Sequence, residues 1–174
     1  MAEFNVAIDY VLANEGGFVS NPNDSGGATN FGITIPMLTS YRKKQVNSSD
    51  IQNLDLAEAK LLYQSFFWDR LHISGLPQPI ATAILDTAVN QGQVTAIKLA
   101  QHSIGPSIMP DGIMGPDTLQ ALDKTNPEMF IYSYIGLLQD RYCDFCVNAT
   151  NQLVFLKGWL RRSRRLFTLL DLTP

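Results

Sequence analysis

The stretch Glu15-Gly16-Gly17-Phe18-Val19-Ser20-Asn21-Pro22-Asn23-Asp24-Ser25-Gly26-Gly27-Ala28-Thr29-Asn30-Phe31-Gly32-Ile33-Thr34 is where this chain stops reading as helix. Before it, Phe4, Ile8, Val11 and Leu12 recur at helical spacing, and eleven residues after Phe4 the same direction is regained at 3.6 residues per turn. That residue is Glu15, so a carboxylate is expected at the end of an apolar stripe, while Glu3 and Asp9 fall on the solvent side. Gly16 and Gly17 are expected to stop the helix. Asn21-Pro22, Asn23-Asp24 and Gly26-Gly27 punctuate a loop, and Thr29 to Thr34 carries the β-type residues of a small hairpin.

Outward from this stretch the pattern is helical. Pro36 suits the first turn of a short helix through about Arg42. Asp55 followed by Glu58 gives a capping-box-like start to a helix running through Tyr63, Phe66, Phe67 and Arg70. Pro79 opens another, through Ile84, Thr87 and Gln91, closed by Gly92, and Val94 to Ile104 forms the next, stopped by Gly105-Pro106. Pro116 and Pro127 start two more, and a last helix is expected from about Gln152 to Leu170. Seven or eight helices around one small β element make the chain mainly α, an α+β fold biased strongly to α. We divide it into a first lobe, residues 1-105, and a helical lobe, residues 106-174, packed on the first.

The composition suits a globular chain of 174 residues, 45% hydrophobic and 17% charged, with a formal net charge of −3. Its longest run without Lys, Arg, Asp or Glu, Ser25 to Tyr41, is polar, so no membrane span is expected. The first basic residue is Arg42, too late for a Sec signal, so synthesis in the cytoplasm and another exit route are expected. Residues 1-150 hold 8 basic and 15 acidic side chains, whereas 151-174 hold 5 basic and 1 acidic. Lys157, Arg161, Arg162, Arg164 and Arg165 suit either an anionic polymer or a solvated helix face. Cys143 and Cys146 lack a second cysteine pair and lie within a predicted helix, which favours buried free thiols over a metal or redox site. Neither metal nor cofactor is expected.

Glycosidic cleavage needs a proton donor for the leaving oxygen and usually a second carboxylate. Glu15 and Asp24 supply such a pair, in surroundings expected to differ: an apolar helix face favours a protonated Glu15, a polar loop an ionised Asp24. A glutamate at a helix end is equally a common structural feature. Thr29 and Asn30 have the hydroxyl and amide to orient water or an acetamido group. Asp86 and Asn90, four apart on one helix face, read either as sugar contacts or as solvated helix-end groups. Trp68 and Trp159 read as stacking platforms or, more in keeping with their apolar helices, as core.

With those residues in view, the sequence resembles the glycoside hydrolase family 108 N-acetylmuramidases, which include phage and prophage endolysins and the typhoid-toxin secretion muramidase. The similarity runs from Glu15-Gly16-Gly17-Phe18-Val19 and Asn23 to Thr34, through Trp68-Asp69, Asp86-Thr87-Ala88-Val89-Asn90-Gln91-Gly92 and Asp111-Gly112-Ile113-Met114-Gly115-Pro116, to Phe155-Leu156-Lys157-Gly158-Trp159-Leu160-Arg161-Arg162. It implies a lysozyme-like fold with a small β-hairpin and a C-terminal helical lobe, and hydrolysis of the β-1,4 bond between N-acetylmuramic acid and N-acetylglucosamine. The family's catalytic Glu falls on Glu15; Asp24 and Thr29 are similar to the partners in phage-type lysozymes. Phe18, Asn30, Phe31, Asp86, Asn90, Gln91 and Arg162 are the expected substrate contacts. Phe18 stands where Tyr is expected and Arg161 where Asn is. The stretch from Asp111 is also similar to the turn-helix signature of peptidoglycan-binding modules. The implied partner is peptidoglycan, not nucleic acid, reached at the periplasmic wall through a holin or export system. Two other functions fit the same residues, a lytic transglycosylase and a non-catalytic wall-binding protein.

Overall fold

The computed structural model describes residues 1–19 and 27–172; Asp24 and its loop neighbours from Ser20 to Gly26 lie outside the described residues. The helix α1, Phe4–Leu12, buries Ala7, Ile8 and Val11. It ends earlier than the glycines suggest. Asn14 and Glu15 follow in a turn, their N–H groups donating to the carbonyls of Val11 (2.9 Å) and Leu12 (3.1 Å). Neither Gly16 nor Gly17 has a positive φ, so neither caps the helix in the left-handed manner expected of them.

The chain next makes β1, Thr29–Asn30, and β2, Ile33–Thr34, an antiparallel pair with Thr29 opposite Thr34 and Asn30 opposite Ile33. Both turn residues, Phe31 (φ 52°) and Gly32 (φ 76°), have positive φ, the requirement of a two-residue type I′ hairpin. A bridge between Val19 and Thr29, with both N–H···O distances 2.8 Å, ties the incoming chain to the hairpin.

Pro36 lies in the first turn of α2, Ile35–Arg42, where the Thr34 hydroxyl caps the N–H of Met37. A short helix α3, Ser48–Gln52, follows under a complete capping box between Asn47 and Asp50. It was not anticipated, because five residues show no apolar period. Asp55 caps α4, Leu56–Tyr63, by accepting from the Glu58 N–H. The same helix continues through a widened π turn at Gln64–Trp68 into α5, Asp69–Leu71. Such a turn leaves a carbonyl without its regular partner; that of Phe66 accepts from Gln93 Nε2 at 2.7 Å.

The helix α6, Gln78–Gln91, forms the centre. Every residue from Pro79 to Ala88 is buried, and a helix that is covered on all sides must run through a core rather than along it. It packs against α1, against α7, Gln93–Ser103, and against α9, Pro127–Asn148. Gly92 (φ 89°) and Gly105 (φ 95°) end α6 and α7 close to the expected positions. The helix α8, Pro116–Lys124, precedes α9, and α10, Leu153–Arg165, follows it. The last helix tightens to 3-10 geometry at Leu166–Leu172 instead of running on.

Inside, Phe130 stacks on Tyr134 (5.1 Å between ring centres), and Trp68 meets Phe4 edge-on. Trp68 is buried and takes the core reading, whereas Trp159 is half-buried, packing against Tyr142, Phe145 and Phe155 and lining a cavity beside Arg162. The cysteines are free thiols, but only Cys146 is buried; Cys143, on the outer face of α9, is exposed. Buried Gln101 explains the Asp111-Gly112 motif locally. It donates to Asp111 Oδ1 (2.8 Å) and to the Ile113 carbonyl (3.1 Å), and accepts from the Gly112 N–H (2.9 Å), fixing the loop onto α7. No helix among the described residues is long and apolar enough to cross a membrane.

Candidate active site

Glu15 stands at the turn after α1, its side chain 18% exposed. One oxygen, Oε1, accepts from Arg162 Nη1 at 3.0 Å. The other, Oε2, faces the hairpin turn so closely that a Cβ on Gly32 would lie 2.7 Å from it and 2.8 Å from the Tyr63 hydroxyl. Glycine is therefore favoured at position 32 on two grounds, its positive φ and the Glu15 and Tyr63 side-chain ends that would have to shift to admit a Cβ. Tyr63 is fully buried and donates to the Phe31 carbonyl at 2.8 Å, which holds the turn in place. Burial, and then the charge of Glu15, push the Tyr63 hydroxyl's pKa above its ordinary value.

The surroundings of Glu15 thus differ from those its apolar stripe predicts, because a guanidinium reaches it from α10. Arg162 is itself held from behind. Asp86, 4% exposed on the central α6, receives Nε at 3.1 Å and Nη2 at 2.9 Å in a two-pronged pair, and its carbonyl takes a further bond from Nη2. Burial works against the charge on Arg162, but Asp86 and then Glu15 outweigh it, and the guanidinium's pKa rises above its usual value. Asn14 donates to Asp86 Oδ1 at 3.2 Å and accepts from Arg165 Nη1. Arg165 also donates to the Ala13 carbonyl and lies over the Tyr10 ring, 5.4 Å from its centre.

The structure brings Glu15, Asp86 and Arg162 together and gives the other expected contacts varied settings; Phe31 is in the hairpin turn, its carbonyl accepting from Tyr63 and its ring partly buried against the core. Asn30 is buried, its amide donating to the carbonyls of Ile51 (3.1 Å) and Leu54 (3.4 Å), so it anchors the hairpin on α3. Gln91 is occupied by Tyr142 and Arg141. Asp86 neither caps a helix nor faces solvent; its partner is Arg162. Thr29 sits in β1 half-buried, while Phe18 and Asn90 are exposed. A cavity of about 370 Å³ beside Arg162 is lined by Asn14, Asn90, Trp159 and Arg165 among others. Asp24 lies outside the described residues. Among those described, no group of three or more His, Cys, Asp and Glu could hold a metal. Tyr63 and Asn14 were missed from sequence, and nothing but their position in space marks them.

One oxygen of Glu15 is held by an arginine and the other is turned to a β-hairpin, and the helical frame that carries it is that of a lysozyme-like glycosidase. The comparisons with known proteins agree. The model for Glycosyl hydrolase 108 matches residues 8–92, and that for a Predicted Peptidoglycan domain matches residues 95–164. The solved structure of SagA from Brucella abortus is 30% identical, with a TM-score of 0.79 over 97% of this chain and 94% of its own. A comparison with curated proteins finds no match. The chain belongs to glycosyl hydrolase family 108 and is a peptidoglycan hydrolase of the muramidase type.

Proposed function

We propose that the enzyme cleaves the β-1,4 bond between N-acetylmuramic acid and N-acetylglucosamine, with Glu15 as the general acid. The observation that carries this is the clasp on Glu15, in which Arg162, braced on Asp86, meets Oε1 while Oε2 faces the hairpin. Glu15 delivers its proton to the glycosidic oxygen. The carboxylate left behind is then received by Arg162, a preorganised cation that needs no rearrangement to stabilise it. Asp24 activates water or supports the oxocarbenium-like sugar, and Thr29 orients that water. The exposed Phe18 ring and Asn90 amide contact the saccharide. Asn30 and Gln91 serve through the elements they tie together. The enzyme works at the wall, in lysis or in wall remodelling for protein export, and a holin or export system brings it there.

Reducing-end release from purified sacculi, with mass analysis of the new ends, tests this. The parent should generate reducing N-acetylmuramic ends, and Glu15→Gln should be slower by about 100-fold or more, the usual contribution of a general acid. Asp24→Asn should also be slowed. Full-speed cleavage by Glu15→Gln would overturn the assignment. Anhydromuramic ends would make the enzyme a lytic transglycosylase, and no new ends at all would leave a wall-binding protein.

A further inference from the structure

The first turn of α10 departs from what a helix on a protein surface ordinarily shows. Leu153, Val154 and Phe155 are consecutive, apolar and 54%, 77% and 53% exposed, and Val147 at the end of α9 is 80% exposed. Successive residues of a helix point about 100° apart, so three exposed in a row mean that this end stands clear of the body. A run of exposed apolar residues is a fault in a surface unless it has work to do. Lys157, four residues after Leu153 and three after Val154, continues the same face, and Arg161 and Arg164 follow at the same spacing. All three cations are exposed, and none has an ion-pair partner among the described residues. Leu156 and Leu160, partly exposed, lie along this surface with them. Being one side of a single helix, the surface is convex, and no acidic residue occurs anywhere in α10.

We infer that α10 docks this face on an anionic lipid bilayer, its first turn leading into the boundary between headgroups and acyl chains and its cations on the lipid phosphates. An interfacial helix needs both parts, apolar residues to enter that boundary and Lys or Arg to meet the charge above it. A glycan or a nucleic acid would satisfy Lys157, Arg161 and Arg164 but offers no apolar phase to Leu153 and Val154. Leu153 leads Lys157 by about 6 Å along the helix axis, within the depth of about 5–10 Å to which interfacial apolar groups sink. The rest of the chain sets the orientation. Residues 1–150 hold 8 basic and 15 acidic side chains, so an anionic surface repels the body and draws in α10. Arg162 points inward from the same helix, to Glu15 and Asp86, so the docked enzyme keeps its site off the lipid. Lipid binding of this kind needs no chemistry at Glu15 and is independent of the muramidase reading.

Sedimentation of the full chain with vesicles tests this, using phosphatidylcholine alone and phosphatidylcholine mixed equally with phosphatidylglycerol. The parent should bind the mixed vesicles, leave the neutral ones largely unbound, and be released as salt rises. Lys157→Ala/Arg164→Ala should weaken binding about 25-fold, about fivefold for each cation near an anionic surface. Leu153→Ser/Val154→Ser keeps every charge and should weaken it about tenfold or more through lost apolar burial. Both variants should keep the parent's melting temperature and its rate of reducing-end release from sacculi, because none of the four side chains touches Glu15, Asp86 or Arg162. A parent that ignores the mixed vesicles, or a charge variant that binds them as the parent does, would overturn the inference. Binding left intact by the serine pair would reduce the face to a patch for any polyanion and overturn it too. Lipid-free sacculi that retain the parent but not the charge variant, while vesicles retain neither, would assign the face to the wall polymer instead.

Discussion

Arg162→Ala should be the most damaging single substitution in the site, and its size follows from what it strands. Four hydrogen bonds disappear: Nε and Nη2 to the Asp86 carboxylate, Nη2 to the Asp86 carbonyl, and Nη1 to Glu15. Glu15 is 18% exposed and regains some water, but Asp86, at 4%, keeps only the amide of Asn14. Removing one partner of a buried ion pair costs about 3–5 kcal/mol, since a charge is left uncompensated. For a chain of this size each kcal/mol lowers the melting temperature by about 2–4 °C, so a fall of about 6–20 °C is expected. Thermal unfolding at pH 7, followed by circular dichroism, measures it. The double variant Arg162→Ala/Asp86→Ala removes the stranded charge and should recover part of the loss, giving a coupling of more than about 1 kcal/mol in a double-mutant cycle. Arg162→Ala melting within about 2 °C of the parent, or strictly additive single losses, would refute the reasoning.

Gly32→Ala should cut cleavage of sacculi about tenfold or more, because its Cβ would overlap Glu15 Oε2 and the Tyr63 hydroxyl at 2.7 and 2.8 Å, and should cost about 1 kcal/mol from the positive φ alone; undiminished turnover would show that the hairpin turn stands free of the carboxylate. Glu58 lies in a bidentate pair with Arg42, at 2.7 and 2.6 Å, and the hydrogen bond from Arg42, which outweighs partial burial, lowers its pKa. Its folded pKa being depressed, it should contribute stability that is fully present above the ordinary glutamate range and lost as pH falls through the lowered value. Glu58→Gln should therefore be less stable than the parent by about 0.5–1 kcal/mol at pH 7, allowing for solvent screening, and indistinguishable from it once acid has protonated Glu58; denaturant titrations at both pH values check this.

How much of this was legible in the sequence depended on whether the controlling physics was local. The helix α6 was readable because Pro79 and Gly92 mark its ends, and α4 because Asp55 caps it. The π turn at Gln64–Trp68 was not, since its carbonyl is satisfied by Gln93 from another helix. The hairpin was expected from its β-type residues, but that a phenylalanine would take the left-handed turn position was not, because Asn, Asp or Gly ordinarily fills it. Glu15 was found by its place on an apolar stripe, whereas its electrostatic setting was misjudged. The cation that defines it comes from a residue 147 positions away, and no periodicity near Glu15 reports it. As a partner for the site, Arg162 entered only through family resemblance. The arginine-rich end, read as one basic patch, divides in space into a braced site arginine, an arginine tied to the end of α1, and three cations left facing outward.

That division bears on what the second matched segment is for. In sequence the hydrolase model ends at residue 92 and the peptidoglycan-domain model begins at 95. In space no such boundary separates their work. Glu15 and Asp86 come from the first segment, Arg162 from the second, and the guanidinium bridges the two carboxylates. Two carboxylates facing one site would repel each other unless a cation lay between them, so the first segment by itself presents an unbalanced pair. The central helix makes the same point with packing, since α6 is buried along its length by α7 and α9 as well as by α1. A segment that supplies both the counter-charge for Glu15 and the cover for the core helix is one folded unit with the first. The helix α10 carries both sides of this division, with Lys157, Arg161 and Arg164 exposed on the outside and Arg162 facing inward to Glu15 and Asp86.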